Sequence, residues 1–348
     1  MVRIKRNILA MQRSELEDFL ETLGEKKYRA AQIIDWVYKK RVFDFAAMSN
    51  LPQRLINRLD DDACIPVPAM LQRRSSRHTA KYLFALEDGN TVESVLMLYS
   101  YGNAACVSTQ AGCGMGCSFC ASAIGGKKRD LLAWEIIAQV LLIQKDLDGQ
   151  GQRVSHVTIM GTGEPLDNYD AVVSAIRLLG EYLGIGQRRI TVSTCGLVPE
   201  IKRLQSEQLA VTLSISLHAT DNRLRDRLMP VNRRYPVEQV VAAGRQYGKV
   251  TGRRVSYEYI MLKGVNDHPE HARKLAALLS GSLCHVNLIA WNVVPGRPFA
   301  PSDRSTIERF STILSKMGIP VTIRREMGGE IQAACGQLRR GQAEVETE

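Results

Sequence analysis

The stretch "CGMGCSFC", residues 113–120, gathers three of the chain's eight cysteines into one short segment at C-x3-C-x2-C spacing. Thiolates bind zinc or iron, and a structural zinc site is nearly always closed by four protein ligands. Three ligands leave a fourth position open, which suits an iron–sulfur cluster with one iron free to bind a substrate. Phe119, before the last cysteine, makes the pattern more specific. Cys113, Cys117 and Cys120 are therefore the candidate metal ligands.

Outward from this segment the chain alternates strand and helix signals. Strand candidates are "ACVST" at 105, "VSHVTIM" at 154, "RITVST" at 189, "AVTLSISL" at 210, "VSYEYIML" at 255, "HVNLIAW" at 285 and "PVTIRR" at 320. Between them lie amphipathic stretches such as "LAWEIIAQVLLIQKDL" and "YDAVVSAIRLLGEYLG". Repeated βα units imply parallel strands with helical crossovers, in an open doubly wound sheet or a barrel. Periodicity alone does not choose between them. Upstream, "SELEDFLETLG", "KYRAAQIIDWVYKK" and "PQRLINRLDDD" read as a small helical unit, with Ser14 as an N-cap and Gly24 as a stop. Residues 81–99 alternate around "EDGN" and read as a hairpin.

Composition fits a soluble globular enzyme: 348 residues, 45% hydrophobic and 24% charged. No apolar run nears the ~18 residues of a membrane span, and the N-terminus has no signal-peptide pattern, so cytoplasmic residence without a membrane is expected. Such a chain needs no structural disulfides. The net charge is +10, with basic clusters at Arg73-Arg74, Lys127-Lys128-Arg129, Arg188-Arg189, Arg233-Arg234, Arg253-Arg254, Arg324-Arg325 and Arg339-Arg340. One doublet is ordinary surface; seven together point to a polyanion, with nucleic acid the leading candidate.

Other residues carry two readings each. In "GTGEP", residues 161–165, Gly161 and Gly163 allow close backbone approach to a ligand, and the Glu164 carboxylate can accept from an ammonium group. The same five residues also make a plain βα turn. His218 alone would be a core histidine, Glu93 a solvated hairpin charge, and Cys335 a small buried hydrophobe. Cys106 is a tempting fourth ligand for the cysteine cluster, and with it a zinc-stabilised RNA-binding protein without catalysis is the competing class.

The motifs "ACVSTQAGCGMGCSFCASAIGG", "GTGEPLDNYD", "RRITVSTCGLVP", "SISLHA", "LRDRLMPVNRRYP", "GVNDHPEHA" and "AACGQLRR" together resemble the RlmN/Cfr family of radical S-adenosylmethionine (radical SAM) RNA adenine methyltransferases. The resemblance covers residues from about 90 to 340. It implies an α/β fold: a radical SAM partial (βα)6 TIM-like barrel with a small helical N-terminal domain and a β-hairpin extension. The matching division is residues 1–75, 76–104, 105–342 and a tail at 343–348.

The resemblance also implies roles. Cys113, Cys117 and Cys120 hold a [4Fe-4S] cluster whose fourth iron is chelated by S-adenosylmethionine, with two S-adenosylmethionine molecules used per turnover. Gly163, Glu164, Ser193, Ser216, Leu217, His218 and Asn292 correspond to family positions that contact S-adenosylmethionine. The family usually has Met where this chain has Thr162. Cys335 matches the cysteine that is methylated and carries the methyl to adenine carbon 2, an electron-poor atom that ordinary displacement does not methylate. Cys106 matches the thiol that resolves the protein–RNA adduct by forming a disulfide with Cys335. Glu93 matches a proton-accepting glutamate. Implied partners are 23S rRNA, tRNA and an electron donor such as flavodoxin or ferredoxin, acting on a monomer. The Cfr branch, which methylates carbon 8, is the nearest competitor; Pro165 and "LRDRLMPVNRRYP" favour the RlmN side. Cys195 reads as the filler of a βα turn.

Overall fold

The alternating segments become one ten-stranded sheet in a computed structural model that describes residues 5–325 and 327–338. The strands are β1 (Ala69–Ser75), β2 (Thr79–Ala85), β3 (Thr91–Tyr99), β4 (Gly102–Cys106), β5 (Val154–Ile159), β6 (Ile190–Thr194), β7 (Thr212–Ser216), β8 (Val255–Met261), β9 (Cys284–Ala290) and β10 (Val321–Ile323). They lie side by side in sequence order. From β4 to β10 every neighbouring pair is parallel, and β1 to β4 are antiparallel. Helices supply the crossovers: α4 (Ala133–Asp148), α5 (Tyr169–Leu183), α6 (Val198–Ser206), α7 (Asn222–Leu228), α8 (Val237–Thr251), α9 (Pro269–Leu279) and α10 (Arg304–Lys316). A parallel sheet wound in strict order with helices outside is a partial TIM-like barrel, which settles the choice that periodicity left open.

Alternation along the strands sorts side chains between two environments. Val157, Ile159, Val192, Leu213, Ile215, Tyr257 and Tyr259 join the core beneath the helices. Their neighbours Thr158, Ser193, Ser214, Ser216, Glu258 and Asn287 lie on the opposite face. That polar face lines the barrel interior, where the Ser214 Oγ and Asn287 Nδ2 groups both donate to Glu258 Oε1 at 2.8 Å.

The N-terminal unit contains α1 (Arg13–Thr22), α2 (Arg29–Ile34) and α3 (Gln53–Asp62). Helix α1 starts two residues earlier than Ser14 suggests. Gln12 is its N-cap, and its backbone N–H donates to Glu15 Oε2 at 2.7 Å. Gly24 follows the helix end with φ +72°, a conformation that favours glycine. The sequence reading runs the helical unit to residue 75, whereas residues 69–75 form edge strand β1 against β2. That strand is exposed on both faces, so "AMLQRRS" shows no apolar alternation to reveal it. The tail 343–348, residues 339–342 of the core and the Arg339-Arg340 pair lie outside the described residues.

Candidate active site

The cysteine loop is clasped at its base and pinned along its length. Residues Gln110–Ala111 pair with Arg129–Asp130, and Gly112, at φ +84°, has no room for a side chain: a Cβ there would lie 2.0 Å from the Gly126 carbonyl. The Ser118 N–H donates to the Leu228 carbonyl at the end of α7 (2.9 Å). After β9, Trp291 Nε1 donates to the Phe119 carbonyl and Arg297 Nη2 to the Cys120 carbonyl, each at 3.0 Å.

Cys113, Cys117 and Cys120 all open onto one cavity of about 880 Å³ at the C-terminal ends of the strands. Burial pushes the Cys113 thiol up to about 12, the Cys117 thiol well above its ordinary value, and the Cys120 thiol in the same direction. The free thiols are thus protonated, and a metal that binds them displaces protons. Among the described residues, no three His, Cys, Asp or Glu side chains converge closely enough to hold a single metal ion. Three thiols on one cavity leave a further coordination position open, as an iron–sulfur cluster with one free iron requires.

The same cavity is lined by Gly163, Glu164, Ser193, Ser216 and His218. Glu164 is buried, and its carboxylate accepts from the N–H groups of Cys195 (2.7 Å) and Leu166 (3.0 Å). Those bonds fix both oxygens while burial raises the carboxyl pKa. A cation in the cavity would favour the charged form. The glycines of this turn have a different reason from the one the sequence suggests. A Cβ on Gly161 would lie 2.7 Å from Val107 backbone atoms, and one on Gly163 would lie 2.7 Å from Thr109 Oγ1. They allow the turn to pack against the chain after β4, not only against a ligand.

His218 is buried in the left-handed region at φ +60°, and burial lowers its pKa to about 3. The Ile260 N–H donates to its Nδ1 at 3.1 Å, so the ring is neutral with its proton assigned to Nε2. Leu217 differs from the other cofactor candidates: its side chain is fully buried in the core beneath the helices. Arg225, fully buried, ties the strand ends together by donating to the carbonyls of Cys195 (2.7 Å), Ser216 (3.2 Å) and Leu217 (3.1 Å).

An adjoining cavity of about 820 Å³ shares Cys120, Met160, Arg324 and Cys335 with the first. Here Cys106, at the end of β4, meets Cys335, carried by the irregular segment 328–338. That segment packs through Ala333 and Leu338 on Val95 and Cys106. The Gly336 carbonyl accepts from the Ala121 N–H at 2.8 Å, and Asn292 Nδ2 donates to the Cys335 carbonyl at 3.1 Å. Asn292, expected at the cofactor, thus supports the thiol segment. Cys335 is exposed to the cavity, whereas Cys106 is buried and pushed up to about 12 by burial and by the Cys335 thiol beside it. All eight cysteines, each among the described residues, are free thiols.

Glu93, on β3, is neither a solvated charge nor a lining residue of either cavity. It is buried and pairs with Lys81 at 3.0 Å, and Lys81 also donates to the Gln332 carbonyl of the Cys335 segment. Arg324 is the functional candidate that sequence reasoning missed. Read as half of a surface doublet, it instead lines both cavities, pairs with Glu258 at 3.5 Å and has its pKa raised first by the Cys335 thiol.

Residues 6–65 match the model of the ribosomal RNA large subunit methyltransferase N-terminal domain, and residues 107–276 match the Radical SAM superfamily. Curated relatives include the probable dual-specificity RNA methyltransferases RlmN of Symbiobacterium thermophilum, 52% identical over 94% of this chain and 90% of that protein, and of Clostridium acetobutylicum, 48% identical over 97% and 98%. The chain belongs to the RlmN family. A crystal structure of a radical SAM methyltransferase from Sphaerobacter thermophilus superposes with TM-score 0.93 at 42% identity, covering 96% of this chain and 99% of that one. Membership of the RlmN family, and through it of the radical SAM enzymes, implies a [4Fe-4S] cluster and S-adenosylmethionine. The donor set fits both: three thiols around one open cavity, and beside them a fixed carboxylate and a neutral histidine.

Proposed function

We propose that the protein methylates carbon 2 of an adenine in the peptidyl-transferase loop of 23S rRNA and of the adenine beside the tRNA anticodon, through an S-methylcysteine at Cys335. The observation that carries this reading is the meeting of Cys335 and Cys106, far apart in sequence, in a cavity that adjoins the three-cysteine loop. When bound there, S-adenosylmethionine supplies both the methyl group and the radical chemistry, one molecule for each. Cys113, Cys117 and Cys120 hold the cluster. Gly163, Glu164, Ser193, Ser216 and His218 would orient the cofactor, Glu164 supplying a carboxylate for its ammonium group.

Cys335 acts as nucleophile and carrier, and its exposure in the cavity suits both tasks. After the carbon is joined to adenine, the Cys106 sulfur attacks the Cys335 sulfur. A disulfide forms, the sulfur–carbon bond breaks with its electron pair passing to the adenine-bound carbon, and that carbon takes up a proton to become the methyl group; a thiol reductant then returns the disulfide to two thiols. Glu93, linked through Lys81 to the segment that carries Cys335, serves as proton acceptor. A one-electron donor protein, flavodoxin-like or ferredoxin-like, supplies the reducing electron to a monomer.

RNA reaches the cavity as a splayed loop base, since base-specific RNA recognition targets unstacked nucleotides. Exposed arginines such as Arg188, Arg189, Arg233 and Arg234 offer phosphate contacts. RNA affinity is therefore expected to fall steeply with added salt, and an affinity independent of ionic strength would contradict this surface.

The deciding experiment is mass spectrometry of nucleosides from cells lacking the protein. Loss of 2-methyladenosine at both RNA positions is expected. Loss of 8-methyladenosine instead would move the protein to the Cfr-type reaction, and an unchanged nucleoside profile would remove the assignment.

A further inference from the structure

Two arginines stand beside the cysteine site, one on the neighbouring Cys195 carbonyl and one on the Cys120 carbonyl of the loop itself. Arg225 is fully buried, and its guanidinium has five oxygen partners: the three strand-end carbonyls described above, Asn232 Oδ1 (3.0 Å) and the Tyr235 carbonyl (3.4 Å). None of the five is a carboxylate. Burial lowers the pKa of Arg225, and the Asp226 carboxylate opposes this; Cys195, whose carbonyl Arg225 holds, lines the same cavity as Cys117. A buried cation satisfied only by neutral oxygens is costly unless an anion joins it. Arg297 approaches from the loop after β9, with Nη2 on the Cys120 carbonyl. Its Nε is buried and has no hydrogen-bond partner among the described residues.

We propose that Arg225 and Arg297 are the fixed counter-charges of the cysteine site, and that they hold the reduction potential of its iron–sulfur cluster where the donor can reach it. The inference rests on the cluster reading above. Reduction adds one electron from the donor to a group already held by three thiolates, and the site becomes one charge more negative. A fixed cation stabilises the reduced form more than the oxidised one, most strongly where water is excluded. Both arginines are positioning residues, since each acts on the reaction through the cysteine loop.

The test is an anaerobic redox titration, followed by electron paramagnetic resonance, of protein reconstituted with iron and sulfide. Wild type is compared with Arg225→Lys, Arg225→Gln, Arg297→Lys and Arg297→Gln. The glutamine variants are expected to titrate at more negative potential, Arg225→Gln further than Arg297→Gln, and the lysine variants to stay near wild type. Glutamine variants at the wild-type potential would overturn the proposal. So would lysine variants displaced as far as the glutamine ones, because geometry rather than charge would then be responsible. Should Arg225→Gln not fold, the Arg297 pair decides in the same way: equal potentials sink the idea. Wild-type protein that takes up no iron or sulfide would bring down the cluster reading itself, a failure distinct from an unmoved potential.

Discussion

The two adjoining cavities hold the same side chain in opposite settings, one end anchored and the other exposed. At one end, loop 113–120 is clasped by a short strand pair and held by bonds from α7, Trp291 and Arg297, so three thiols stand at fixed places. At the other, one thiol is exposed on an irregular segment and its partner is buried at a strand end. A cluster needs unchanging ligand spacing. A carrier and a resolving thiol need one sulfur that reacts and one that waits. On the proposed reading, anchorage and burial rather than residue type would separate the two chemistries.

The largest effects should come from splitting these ends. Cys335→Ala is expected to reduce RNA methylation to background while iron and sulfide uptake stays at the wild-type level. Cys117→Ala should lose both. If Cys335→Ala still methylates RNA at near-normal rates, the division between holding and carrying ends is wrong. Next in size is Cys106→Ala, which should leave protein covalently joined to RNA. A denaturing gel with labelled RNA reads this directly, and absence of the adduct removes the resolving role.

Much of this comparison was legible in the sequence. Cysteine spacing marked the holding end, because ligands within one loop have a local signature. The strand–helix alternation marked the sheet, and the resemblance supplied the barrel. What escaped detection depends on contacts between distant segments. Arg324 looks like half of a surface doublet until β10 turns it toward Cys335. Arg225 sits in the motif "LRDRLMPVNRRYP", yet nothing local says that it will bridge the ends of β6 and β7. Edge strand β1 lacks alternation because water touches both its faces. Leu217 and Asn292 show the reverse limit: a motif position does not reveal that one side chain lies in the core while the other donates to the Cys335 carbonyl.

Glu93 gives a middle-sized effect that combines rate and stability. Glu93→Gln should slow adduct resolution by about 100-fold or more if the carboxylate moves a proton. The same change leaves the buried Lys81 without its anion, which costs about 3–5 kcal/mol in comparable pairs. The two effects separate in Glu93→Gln/Lys81→Met, where the orphaned charge is gone. Restored stability with slow turnover supports the proton acceptor. Restored stability with wild-type turnover leaves only a structural ion pair.

The smallest effect concerns the guarded thiol itself. Burial holds Cys106 at about 12, above the range of an unfolded cysteine. The folded state therefore favours the neutral thiol. Its stabilisation is fully present below the unfolded pKa and is lost as pH rises toward the folded value, because only the unfolded chain then releases the proton. One such group contributes a slope of up to about 1.4 kcal/mol per pH unit in that interval. Buried tyrosines such as Tyr38 and Tyr257 act in the same direction, so the useful measurement is a difference. Denaturant unfolding of cluster-free, reduced wild type and Cys106→Ser should give curves that converge as pH rises above about 9, the variant having lost one titrating group. Parallel curves across that range would mean that Cys106 ionises as readily in the folded protein as in the unfolded chain. The waiting thiol would then owe its restraint to position rather than to burial.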